Sequence, residues 1–310
     1  MSTTEIPAAS TPTHDGYFAP DSVSWRVFAD PASKLGGMAA LLMQALNPFM
    51  MRVFYNTTVS HEDSAGRDER TGRYFETVVF GDKAHADKAS EIVRRMHAHA
   101  RWTDPNTGEV LAADNPQWLA WTHNTFVYAL VRASRQFGVP LTDAEVEQFV
   151  VEQLVAGRLI GIEDESLLPR TWADLETYID AQTSWLALGV EAAEVTRGLR
   201  KPVLRGNPIT VWTTVIVQDG VLSILPEWAR LLYGIDGRPM NLRSAARTTA
   251  WLMSLARKSK HGATLIADAT KRVQDHPYRR LRGENARTRA VCGTDRRSDE
   301  RLRSRAASRP

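Results

Sequence analysis

The chain has 310 residues, 43% of them hydrophobic and 24% charged, with a formal net charge of +3, which is enough apolar chain to bury a substantial core in a globular protein. Its one cysteine, Cys292, excludes a disulfide framework and any cysteine-held zinc or iron-sulfur centre, and it fits a reducing cytosol. The charge is uneven: residues 279–310 hold eleven arginines against four acidic residues, a balance of +7, which leaves −4 for the rest.

Residues 1–21 lack a basic segment followed by an apolar one, so they read as a disordered leader rather than a secretory signal. The most apolar stretch, MAALLMQALNPFMMRVF (38–54), is broken by Gln44, Asn47, Pro48 and Arg52 within the length of a bilayer span. It is expected as a buried helix with a proline stop. In GRYFETVVFG (72–81), Arg73 and Thr77 stand four apart on a predicted helix, so a cation and a hydroxyl project together toward an apolar pocket. From Gly81 to Ala100 the apolar residues Ala89, Ile92, Met96 and Ala100 recur at spacings of three and four, again a helix.

The segment TDPNTGEVLAADNP (103–116) is turn-like. Pro116 then opens a helix that runs to a stop at Gly138. Thr142 and Glu145 form a capping box ahead of the stripe Val146, Phe149, Val150 and Leu154, and Thr171 with Asp174 opens another helix. Helical patterns continue over 186–200 and 241–274. ITVWTTVIV (209–217) is β-branched but has no partner strand nearby, so it too is expected as a buried helix of poor propensity. The expected architecture is one all-α domain over 22–275, followed by an arginine-rich, disordered tail at 276–310. That tail offers charge to nucleic acid or acidic lipid, but no nucleic-acid-binding signature accompanies it, so nucleic acid is not an expected partner.

The segment RRMHAHARW (94–102) carries the sharpest chemical signal. If the helix continues through it, Arg94, His97 and Arg101 share one face. A buried imidazole between guanidiniums stays neutral, as a metal ligand must. Haem would use both features, an iron for His97 and propionates for Arg94 and Arg101. On spacing alone the plainer reading is a structural histidine, with the arginines paired to carboxylates such as Glu91. His123, among Trp118, Trp121 and Phe126, reads either as a core histidine or as part of a pocket wall.

Taken in order, SVSWRVFADP, LGGMAALLMQALNP, GRYFETVVFGD, RRMHAHARW, WLAWTHNTF, PLTDAEVEQFVVE and LPRTWADLETYI resemble the MpaB-type oxygenase family, whose members include the haem b latex clearing proteins. The resemblance runs from about Ser22 to Ala181. It implies a globin-reminiscent helical domain with a buried haem pocket. It also implies His97 as the proximal iron ligand, because the family's Arg-x-x-His-x-x-x-Arg motif is met by Arg94, His97 and Arg101.

The distal Arg-x-x-Lys-Thr of those oxygenases corresponds to Arg73, Glu76 and Thr77, with glutamate replacing lysine. Trp121 and His123 match a Trp-x-His element assigned to the haem surroundings. Asn47 stands before Pro48 where relatives often have histidine. The expected activity is haem b-dependent oxygenation of a small hydrophobic or secondary-metabolite substrate, by cleavage, hydroxylation or coupling. Its partners would be dioxygen or peroxide and an electron donor, in the cytoplasm. The alternative is a non-catalytic haem carrier or sensor of the same fold.

Overall fold

The computed structural model describes residues 15–58, 64–200, 206–235, 239–259, 268 and 271. The arginine-rich tail lies outside them. Among the described residues the chain forms helices α1 (Val23–Ala29), α2 (Ala32–Gln44), α3 (Pro48–Thr57), α4 (Ser64–Phe80) and α5 (Lys83–His99). A hairpin follows, β1 (Arg101–Thr103) and β2 (Val110–Ala112). Then come α6 (Pro116–Phe137), α7 (Asp143–Leu159), α8 (Trp172–Ala181), α9 (Val190–Val195), α10 (Arg197–Arg200), α11 (Pro208–Ile224), α12 (Glu227–Leu232) and α13 (Pro239–Lys258). The domain is all-α, as expected.

The helix ends are written in the sequence. Asn115 caps α6, its side chain accepting from the N–H groups of Gln117 and Trp118, with Pro116 in the first turn. Thr142 caps α7: its hydroxyl accepts from Glu145 N–H at 3.3 Å while Glu145 accepts from Thr142 N–H at 2.7 Å. Thr142→Ala removes one half of this box and is expected to lower stability by about 1 kcal/mol, read as a shift of the urea midpoint. The β-branched run 209–217 is helical in α11, started by Asn207 and Pro208, so local capping outweighs its strand propensity.

Asn47 has a similar local role. Its carboxamide oxygen accepts from Phe49 and Met50 N–H at 3.1 and 3.0 Å, so Pro48 starts α3 rather than simply stopping α2. The 38–54 run is therefore two helices around a corner.

The largest core packs α2 on α6, with α11, α13 and α8 around them. The two helices come close at Gly36, where an added Cβ would meet the Leu130 side chain at 3.0 Å and its Cα at 3.1 Å. The residues of this core run from Val23 to Leu46 and resume at Trp121. A second, smaller core joins Phe18, Trp25, Val78, Val79 and Phe80 to Ala156 and Leu159.

Three expectations change. The packed chain starts before residue 22: Phe18 is 2% exposed, its carbonyl accepts from the Trp25 indole at 3.0 Å, and Asp15 O accepts from Lys83 N–H at 2.8 Å. The turn-like 103–116 segment includes strand β2, paired to β1 in the register Arg101↔Ala112 and Thr103↔Val110. Gly108, at φ 72°, makes its turn. Finally, α5 ends at His99, because Ala100 leaves helical geometry and its carbonyl accepts from Ala113 N–H at 2.9 Å. Arg101 is thus a strand residue and does not share a helix face with Arg94 and His97.

Candidate active site

His97 sits in the last turn of α5 and is half-buried. Burial lowers its pKa, with the nearby Asp114 carboxylate pulling the other way. Its Nδ1 is buried and has no hydrogen-bond partner among the described residues. A neutral imidazole with a buried, uncommitted nitrogen is a chemically suitable donor for an iron centre, so the residue fits the group that the family resemblance implies. Met96 beside it is 58% exposed and so leaves the apolar stripe expected for it.

The flanking arginines are held by protein acceptors. Arg94 donates through Nη1 to the Leu159 carbonyl at 2.6 Å, tying α5 to the end of α7. The stem of Arg94 passes Gly161, whose φ is +104° and whose added Cβ would stand 3.2 Å from Arg94 Cδ. Arg101 donates through Nη2 to Asp114 at 2.8 Å and through Nε to the Ala98 carbonyl at 3.1 Å. Glu91 pairs with Arg95 and Lys88 instead of with Arg94 or Arg101. Asp114 therefore pairs with Arg101 and acts electrostatically on His97; within the turn-like 103–116 stretch nothing in the residue spacing marks it out.

On α4, Arg73 pairs with Glu69 one turn earlier, and the Thr77 hydroxyl donates to the Arg73 carbonyl at 2.8 Å. Cation and hydroxyl are thus engaged within α4 rather than aimed together into a pocket. Glu76 is half-buried next to them. Phe75 stacks on Phe126 of α6 with centroids 4.1 Å apart and planes at 12°, and Phe28 packs on both at 6.0 Å. The Tyr74 hydroxyl lies 3.4 Å from Ser90 Oγ of α5. Burial raises the Tyr74 pKa, while Ser90 and the neighbouring Arg94 lower it. Tyr74 is a second contributor to the α4–α5 contact that spacing did not single out.

His123 is 7% exposed on α6. It occupies space that a helical glycine leaves open: a Cβ on Gly157 of α7 would lie 3.2 Å from His123 Nε2 and 2.7 Å from Leu168 Cδ2. Arg94 and His123 thus converge on the C-terminal part of α7. Burial pushes the His123 pKa down to about 4. An unfolded chain protonates this histidine near pH 6.5, so between about pH 6.5 and 4 the unfolded state binds the extra proton and stability falls as pH is lowered. The loss is on the order of 3 kcal/mol across that window, and His97 adds to it in the same direction. Urea midpoints measured from pH 7 to 4 should show this slope, and His123→Gln should flatten it.

The domain's extent can be set beside known proteins. Residues 25–258, from within α1 to the end of α13, match the family described as ER-bound oxygenase mpaB/B'/Rubber oxygenase, catalytic domain. The chain belongs to this oxygenase family. The match extends past the 22–181 region in which the resemblance was legible, and it takes in α11 and α13. Comparison with curated proteins and with solved structures found no match. Among the described residues of this family member, no helix is long and apolar enough to cross a membrane. None of its described His, Cys, Asp or Glu side chains gather in threes as ligands for a bare metal ion.

Proposed function

We propose that this oxygenase domain holds haem b through His97 and oxidises a small hydrophobic substrate, with dioxygen or peroxide as co-substrate, in the cytoplasm. The observation that carries the reading is the buried Nδ1 of His97, which has no partner among the described residues, on an imidazole whose protonation burial disfavours. When bound, haem supplies the activation of dioxygen or peroxide at iron.

The chain's own residues do the rest. Arg94, through the Leu159 carbonyl, and Arg101, through Asp114, fix the two sides of the His97 turn, so we assign them to holding α5 in position. The Phe28, Phe75 and Phe126 group gives an aromatic wall suited to an apolar substrate. Glu76, where relatives carry lysine, is the carboxylate on that stretch of α4 that would give or take a proton. Arg73 and Thr77 brace the α4 backbone around it. His123 stays neutral at physiological pH and lines the far side of the Arg94 contact.

The test is the visible absorption spectrum of the purified protein, as isolated and after adding hemin, before and after dithionite and carbon monoxide. A Soret band that shifts on reduction and again with carbon monoxide is expected. A spectrum no different from free hemin would end this reading.

A further inference from the structure

Helix α13 turns an unusual face to solvent. Met240, Trp251 and Leu255 are 79%, 56% and 45% exposed, and Arg243, Arg247 and Lys258 are exposed with them. At 3.6 residues per turn all six fall within an arc of about 120°. The opposite side carries Leu242, Ala245 and Thr249, which are buried. Thr249 is seated against α11: its hydroxyl donates to the Ile216 carbonyl at 3.1 Å, and an added Cβ on Gly220 would come 2.4 Å from it. That packing fixes which way the helix faces. No aspartate or glutamate occurs between residues 239 and 258.

We propose that this face of α13 lies on an anionic lipid surface. The indole of Trp251 and the aliphatic chains of Met240 and Leu255 enter the boundary between headgroups and acyl chains, and Arg243, Arg247 and Lys258 meet the lipid phosphates. Charge selects this occupant. A second copy of the chain would bring cations against cations. A nucleic acid would meet the basic residues but leave the apolar ones between them in water. Residues 279–310, at +7, add to the attraction of the whole chain for a negative surface. The association is peripheral, and it does not depend on the haem reading.

The test is co-sedimentation of the full chain with phosphatidylcholine vesicles, with and without phosphatidylglycerol, together with the Trp emission maximum. Binding to the anionic vesicles only, with a blue shift, is expected. The double variant Trp251→Ser with Leu255→Ser should bind them at least about tenfold more weakly, and Arg243→Glu with Arg247→Glu should narrow the preference for anionic lipid. All four side chains are exposed, so thermal melts should match the parent. Equal binding of the parent and the Trp251/Leu255 variant would overturn the proposal, since charge elsewhere would then account for all of it. So would an absence of vesicle binding, or a duplex DNA affinity that falls by the same factor in that variant.

Discussion

His97→Ala is expected to abolish the Soret band of the reconstituted protein, while His99→Ala leaves it intact. The two histidines lie on the same last turn of α5 and differ in what their rings do. His99 is exposed and its Nδ1 lies 2.6 Å from the Arg95 carbonyl, whereas the Nδ1 of His97 is buried without a partner. If His97 were a structural histidine, its loss would cost the chain a satisfied buried hydrogen bond and destabilise it even without hemin. With that nitrogen unpartnered, the hemin-free variant should instead lose less than about 1 kcal/mol in urea unfolding. Exogenous imidazole, which can enter the space left by the ring, should restore part of the spectrum. A variant with the parent Soret band in both oxidation states would sink the assignment of His97.

The largest effect on stability is expected at Trp121. Its side chain is 0% exposed, edge-on to Trp185 at 5.8 Å and tilted against Trp228 at 6.5 Å, in the core where α2 meets α6. Trp121→Ala leaves a cavity that a close-packed interior closes only in part, so it should cost about 3–5 kcal/mol. The indole N–H has no acceptor among the described residues. Trp121→Phe therefore gives up volume but no hydrogen bond, and should cost only about 1–2 kcal/mol. Urea unfolding of both variants checks the ratio. A loss below about 1 kcal/mol for the alanine variant would mean that the indole is not packed as described.

Most of the fold was legible because it is governed locally. Caps at Asn115, Thr142 and Thr171, with Pro116 at a first turn, mark helix starts by hydrogen bonds made within three residues. Even the β-branched 209–217 run was assigned to helix correctly. The errors fall where distant pairing decides. The exit of α5 at Ala100 depends on a bond from Ala113, and no helical periodicity reports it, so Arg101 was placed one element too early. Phe18 reads as part of a polar leader until Trp25 and Phe80 are brought to it.

The candidate site divides in the same way. The positions of His97 and Arg94 on α5 followed from spacing. The acceptors of the two arginines, the Leu159 carbonyl and Asp114, did not, because one is a backbone atom 65 residues away and the other lies in the turn-like 103–116 segment. Family resemblance supplied the roles of His97, Arg73, Glu76 and Thr77, which spacing could only make available.

Among the described residues, the largest core takes nothing from the chain between Leu46 and Trp121. The helices bearing His97, Glu76 and Thr77 are thus an excursion that leaves that core and returns to it. Segments held mainly by peripheral packing open at lower free energy than the central helices, as separate cooperative units. Helices α4 and α5 rest instead on the second core, where Val78, Val79 and Phe80 meet Trp25 and Leu159, and they are expected to open at lower free energy than α2 and α6. Amide exchange would follow two regimes in one chain, fast around His97 and slow along α6.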